Sequence, residues 1–343
     1  VAGFTVAGVA VPQCMAYALI AGLPVQYGLY AAIVPAIIGS LWGSSAQLIT
    51  GPTTAISLVV LSTLGRLTPP GGEHYIELAF FLALMVGVIQ IAMGVARLGS
   101  LLNFVSHSVI LGFTAGAAVL IGFKQIHNLL GLKLEKTSLF VESLLQIANH
   151  VHETHLITLA LGLGTVAVII LLRKLRPSWP GTLMALAVVG GVVALFKLDA
   201  QGVAVVGAIP QSLPPFHVPN IHGLEIEVDI ADLAPGALAI AILGLMEAVS
   251  IAKSIAGQTH QRLNVNQEFI GQGLSNVAAS LFSGYAGSGS FTRSAVNFRS
   301  GGKTPMSGVF SGIAVAVVIL LAAPLASKLP VAGLAGVLMV VAY

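Results

Sequence analysis

Apolar residues gather along this chain in runs of roughly 20, the length a helix needs to cross the hydrocarbon of a bilayer. Strands of a membrane barrel would instead alternate apolar and polar positions over about ten residues. The runs predict helical spans at about 4–22, 25–42, 47–64, 76–95, 104–124, 155–172, 180–196, 234–256, 268–284, 290–299, 305–326 and 329–343. The third and tenth are short or interrupted. Polar connections divide the spans, the longest at 125–154 and 197–233. The second of these carries several prolines and then the alternating "LEIEVDI" (224–230), a pattern that predicts an extended, two-stranded excursion at the membrane surface.

Composition turns this pattern into a class. Hydrophobic residues make up 56% of the 343 and charged ones 8%, the latter about a third of the share in soluble domains. An all-α integral membrane protein is expected. Thirty-nine glycines suit close helix packing and broken helices in a membrane, and the single Cys14 excludes an internal disulfide framework. The chain opens on Val1 inside an apolar run without a small-residue cleavage signal, so its start reads as trimmed rather than as a signal peptide.

Charge sets orientation more than partners. The sequence pI is about 9.1, yet the net charge is only +3 and no basic run offers a nucleic-acid surface. With the N-terminus cytoplasmic, the inside loops hold eight Lys or Arg against one acid, Glu268, while the outside loops hold six against ten acids. Basic residues mark the cytoplasmic face, which favours this arrangement over its inverse.

The chain also repeats itself. "ALIAG" (18–22) and "KSIAG" (253–257) lie 235 residues apart, and "GPTT" (51–54) and "GSFT" (289–292) lie 238 apart. Seven spans separate the first from the eighth, an odd number, so the second copy enters the membrane upside down. Inverted repeats are a transporter architecture. The first would occupy 1–232 and the second 233–343, and a full second copy would run about two spans beyond Tyr343.

Chemistry concentrates where the hydrophobic pattern breaks. Gly51 and Pro52 interrupt one apolar segment, and because proline suits the first turn of a helix, a helix should begin near Thr53. In the second copy, "GYAGSGSFTRSAVNFRSGGKT" (284–304) breaks the chain at Gly287, Ser288, Gly289 and Ser290 before a helix beginning "FTRSAV". Each start leaves backbone N–H groups free at the positive end of a helix dipole, and two such ends facing each other form an anion site. Arg293, in a first turn where a cation is locally unfavourable, then calls for something negative nearby. Alternatively its guanidinium snorkels to the interface, and Gly51-Pro52 is a simple kink.

Glu247 lies about a dozen residues from either end of its span. Burial and a neighbouring arginine act on such a carboxyl in opposite senses, which suits a group that takes up and releases a proton. A packing role is the alternative. Sodium coupling is possible too, although the next turn offers Ser250 and no second carboxylate. Gln13 and Tyr17, spaced i, i+4, share one face of the first span and can donate to an anion's oxygens or serve as glue between helices, while Cys14 and Met15 are expected to point elsewhere. His150, His152 and His155 form a polar "HVHETH" with no cysteine partner, more a solvated loop than a zinc site. There is no P-loop, and "GSGSF" lacks the third glycine of a dinucleotide fingerprint.

These stretches are similar to a known family. "VPQCMAYALIAGLPVQYGLY" (11–30), "GPTTAISL" (51–58), "VGAIPQSLP" (206–214), "NQEFIGQGLSNVAASLFSGY" (266–285) and "GSFTRSAVNFRSGGKT" (289–304) resemble the sulfate permease family, which includes pendrin and prestin, and the chain reads as the membrane domain of a bacterial-type member. The resemblance implies a fourteen-span, UraA-like core-and-gate fold of two inverted sevens, here cut to about twelve spans. Spans 1–4 and 8–11 would form the core and spans 5–7 and 12 the gate, without the cytoplasmic STAS domain that usually follows. It implies a multi-pass protein of the inner (plasma) membrane, dimeric at full length, that moves anions by an elevator-like displacement of the core and is not an enzyme. The family's anion pocket falls on Gln13, Tyr17, Thr53, Thr54, Phe291, Thr292 and Arg293. Pendrin and prestin carry an aromatic where this chain has Thr53 and lack the acid found here as Glu247, which plant and bacterial symporters share. The expectation is proton-coupled symport of a small oxyanion or dicarboxylate such as sulfate, bicarbonate or fumarate, with Glu247 the coupling residue and no cofactor. An anion channel, exchanger or motor of the prestin–pendrin type is the alternative, as is a nucleobase transporter on the same architecture.

Overall fold

The computed structural model describes residues 1–100, 107–132, 140–175, 181–219 and 226–342. It begins with α1 (Ala2–Ile20) and α2 (Val25–Trp42), continues through the two-residue strand β1 (Thr50–Gly51) into α3 (Thr54–Leu64), and then into α4 (Glu73–Val95), α5 (His107–Leu130), α6 (Phe140–His150), α7 (Leu156–Leu175) and α8 (Gly181–Phe196). The second half holds α9 (Ile226–Thr259), α10 (Val265–Leu281), the strand β2 (Ser288–Gly289), α11 (Phe291–Arg299), α12 (Met306–Ala326) and α13 (Val331–Ala342). Among the described residues six helices are long and apolar enough to cross a membrane, namely α1, α2, α4, α7, α9 and α12. Prolines lie inside four of these, at Pro12, Pro35, Pro235 and Pro324. Neighbouring helices and side chains can satisfy the carbonyls that such prolines release.

Packing divides the helices into two groups. In the larger, α10 lies against α4 and α2, α12 against α1 and α2, α9 across α3 and α4, and α11 against α1 and α9. In the smaller, α13 packs on α5 and α7, and α8 on α7. Both α8 and α13 also touch α1, which therefore lies where the two groups meet. Two apolar clusters follow this division. One gathers Tyr75, Leu78, Leu82, Val86, Ile240 and Tyr285 between α3, α4 and α9. The other joins Met15, Ile33 and Val315 to Leu186 and Val337 across the meeting of the groups.

Two predicted connections differ from expectation. Residues 203–219 form neither helix nor hairpin: they bend at 211–212, and their one bridge is between Val205 and Pro330. The second part of "LEIEVDI" is helical, opening the 34-residue α9 at Ile226, and residues 220–225 lie outside the described residues. A short alternating stretch needs a partner edge to become a strand, whereas extending an existing helix adds one hydrogen bond for each residue fixed. Within 125–154, expected to be a loop, α5 continues to Leu130 and α6 forms at Phe140–His150.

Candidate functional site

The two breaks in the hydrophobic pattern meet. β1 and β2 pair antiparallel, Thr50 opposite Gly289 and Gly51 opposite Ser288, so residues more than 230 positions apart in sequence form one short ladder. Each strand leads into a helix, β1 into α3 and β2 into α11, and because the strands pair antiparallel the chain runs into its two helices from opposite strand directions. Glycine makes the crossing possible. A Cβ on Gly287 would lie 2.6 Å from the Gly51 carbonyl carbon and oxygen, closer than real Cβ atoms approach.

The 47–52 segment is held from α11. Ser290 N–H donates to the Ile49 carbonyl at 2.9 Å, Ile49 N–H donates to Ser294 Oγ at 2.9 Å, and Asn297 Nδ2 donates to the Gln47 carbonyl at 3.0 Å. On the other side, Asn276 of α10 holds Gly287 by both its groups, accepting from the Gly287 N–H at 2.8 Å and donating to its carbonyl at 3.1 Å, and its Nδ2 also reaches Gln90 Oε1 at 2.9 Å. These buried side chains satisfy backbone groups that the two-residue strands leave over.

Arg293 sits at this crossing with 1% of its surface exposed. One terminal nitrogen donates to the Pro52 carbonyl at 2.6 Å and the other to Cys14 Sγ at 2.9 Å, while Nε is buried with no partner. Among the described residues no carboxylate lies within ion-pair distance of it. The guanidinium therefore does not snorkel. It is buried without a bonded carboxylate, so the cost of its burial falls to charge that is close by but not in contact, or to a bound anion.

Glu247 projects from α9 to the same crossing. Its Oε2 accepts Thr53 Oγ1 at 3.1 Å and Ser288 Oγ at 2.8 Å, one hydroxyl from each strand-to-helix junction, and it lies close enough to Arg293 to interact with its charge. From α1, Gln13 and Tyr17 are both buried; Gln13 Oε1 has no hydrogen-bond partner, and the Tyr17 hydroxyl lies near the Thr54 side chain. Thr292 is half-buried and Phe291 is 65% exposed, so the ring lies open at the start of α11 rather than packed within the crossing.

Cys14 does not point away as expected. It lies i, i+3 from Tyr17, the second of the two spacings that share a helix face, and its sulfur meets the guanidinium. Ser288, which the sequence offered only as a chain breaker, is a ligand of Glu247. Glu268, counted among loop acids, is buried at the start of α10, where it accepts the backbone N–H groups of Ser44 at 2.8 Å and Ser45 at 2.9 Å. The histidines stay apart from this chemistry: His150 bonds the Gln146 carbonyl and His155 the Thr158 hydroxyl.

Comparison with known proteins points one way. The model of the sulfate permease family matches residues 1–343. "Sulfate transporter 4.1, chloroplastic" of Arabidopsis thaliana is 37% identical over 351 residues, covering 98% of this chain and 49% of that protein. Among solved structures, the transmembrane domain of a cyanobacterium bicarbonate transporter, BicA, superposes with a TM-score of 0.88 at 27% identity over 99% of this chain and 86% of that one. The structure of SLC26A9 superposes at 0.90 with 22% identity, over 99% of this chain and 56% of that one, a likeness of fold. The chain spans about half the length of curated relatives such as these plant transporters.

Proposed function

The chain belongs to the sulfate permease family, and from that premise we propose that it is the membrane part of a secondary active transporter for a small oxyanion, sulfate or bicarbonate before a dicarboxylate such as fumarate. The observation that carries this is Arg293, fully buried, its Nε unpartnered and no carboxylate paired with it, at the meeting of two helix N-termini. Those ends supply positive potential and free N–H donors, and the guanidinium supplies the charge. Gln13, Tyr17, Thr53, Thr54 and Thr292 supply polar contacts around it, and Phe291 borders the site.

Coupling follows from electrostatics. An ionised Glu247 beside Arg293 balances the empty site, a dianion overcharges it, and a proton on Glu247 relieves that excess. Proton and anion then cross together, with a sodium ion as the alternative co-substrate. The grouping of α1–α4 with α9–α12, against α5, α7, α8 and α13, supports an elevator-like movement of one group past the other. The full-length protein would act as a homodimer in the inner membrane, N-terminus in the cytoplasm.

The test is uptake of labelled sulfate, bicarbonate and fumarate into proteoliposomes under imposed pH or sodium gradients. An inward proton gradient is expected to drive accumulation of at least one of them. Glu247→Gln should abolish that accumulation while sparing anion exchange, and gradient-driven uptake unchanged in this variant would remove Glu247 from the mechanism.

A further inference from the structure

α1 brings three polar side chains to the crossing, and the third is the chain's single cysteine. Arg293 is a donor of five N–H groups and cannot accept. Two of the five have acceptors here, one carbonyl, Pro52 O at 2.6 Å, and one thiol sulfur, Cys14 Sγ at 2.9 Å, while the buried Nε has none. The sulfur is in position because α1 is pinned there. α2 presses Gly28 onto the Cys14 carbonyl so closely that a Cβ would lie 2.0 Å from that oxygen. Cys14 itself is wholly buried and Tyr17, on the same face, nearly so.

Sulfur is a weak acceptor, far weaker than a hydroxyl or carboxylate oxygen. A weak acceptor holds the guanidinium in place in the empty site and yields it when a better one arrives. We propose that Cys14 is a specificity-determining residue of the anion site: it occupies one terminal nitrogen of Arg293 in the empty state and is displaced by an oxyanion, so the acceptor strength at position 14 sets the affinity. This rests on the anion-site assignment of Arg293. The independent observation pointing to a ligand is the buried, unpartnered Nε of that arginine.

The test varies acceptor strength at one atom. Binding of labelled inorganic sulfate, with bicarbonate as a second probe, is measured on the purified full chain and on Cys14→Ala, Cys14→Ser and Cys14→Asp, each first checked for a monodisperse elution profile. Affinity should be equal or higher in the alanine variant, about 3- to 10-fold weaker in the serine variant, whose oxygen competes for a charged donor, and undetectable with aspartate. Serine and aspartate variants binding within twofold of the native chain would overturn the proposal. A second arm needs no substrate. The single thiol is treated with methanethiosulfonate reagents, which form a mixed disulfide as the thiol gives up its proton and methanesulfinate leaves. The anionic ethylsulfonate should react about 10-fold faster than the cationic trimethylammonium reagent, sulfate should protect, and Arg293→Gln should remove the preference. Equal rates, or no reaction, count against the proposal. Sulfate binding undiminished in Arg293→Gln would instead sink the anion-site assignment, whereas binding lost there but flat across the Cys14 series sinks this inference alone.

Discussion

Two short helices start at the same crossing, and they are built from unlike parts. α3 begins at Thr53, whose hydroxyl makes no capping bond and is turned to Glu247. α11 begins at Ser290, whose hydroxyl accepts the Arg293 N–H and caps the helix. The α3 start carries no charge and follows proline, while the α11 start carries the buried guanidinium and follows a run of glycine and serine. The scaffold is close to symmetric, since the strands pair residue for residue, but the chemistry is not. Glu247 accepts a hydroxyl from each side and so binds both junctions. The crossing thus supplies a pair of helix ends, and the α11 side alone adds the charge.

Removing that charge should have the largest effect. Arg293→Gln leaves both helix starts and the strand pair in place but loses the guanidinium, so sulfate binding measured by calorimetry should weaken by about 100-fold or more, the loss of two charge-assisted contacts. Affinity near that of the native chain would show that the two helix ends suffice by themselves and that their difference is incidental.

A smaller but still large effect should come from forcing the two starts apart. In Gly287→Ala the new methyl meets the Gly51 backbone, which cannot move aside as a flexible side chain would. Overpacking of this kind costs about 1–3 kcal/mol, expected as a fall of roughly 3 to 10 °C in melting temperature, together with weaker sulfate binding. An unchanged melting temperature with unchanged binding would mean that the strand pair is not what holds the helix ends together.

Much of this crossing was legible along the chain, and the physical reasons are local. Single prolines inside apolar runs stay within helices here, as at Pro12 and Pro35, but glycine next to proline, or glycine alternating with serine, marks a break, so Gly51-Pro52 and 287–290 gave away both helix starts. Arginine and glutamate inside such runs are conspicuous, which singled out Arg293 and Glu247. What stayed hidden needed distant parts of the chain to meet. No local pattern says that Ser288 and Thr53 share one carboxylate oxygen, because their meeting depends on a ladder between segments far apart. Cys14 was hidden because a cysteine in an apolar run is only weakly polar, although its i, i+3 spacing from Tyr17 was there to be counted. Glu268 looked like any loop acid, since only the folded α2–β1 connection brings two backbone N–H groups onto it. The alternating "LEIEVDI" misled in the opposite way, offering a strand period over too few residues to outweigh the helix that follows.

The smallest expected effect separates the two starts most sharply, because it asks what each first residue does for its own helix. Ser290→Ala removes a cap and should cost about 1 kcal/mol, seen as faster amide hydrogen exchange in the first turn of α11. Thr53→Val keeps the shape of the side chain and removes a hydroxyl that caps nothing, so exchange in the first turn of α3 should be unchanged while the proton dependence of uptake alters through Glu247, which loses one of its two hydroxyl donors. Were Thr53→Val to loosen α3 as much as Ser290→Ala loosens α11, the two hydroxyls would be equivalent caps, and the asymmetry between the helix starts would reduce to the guanidinium alone.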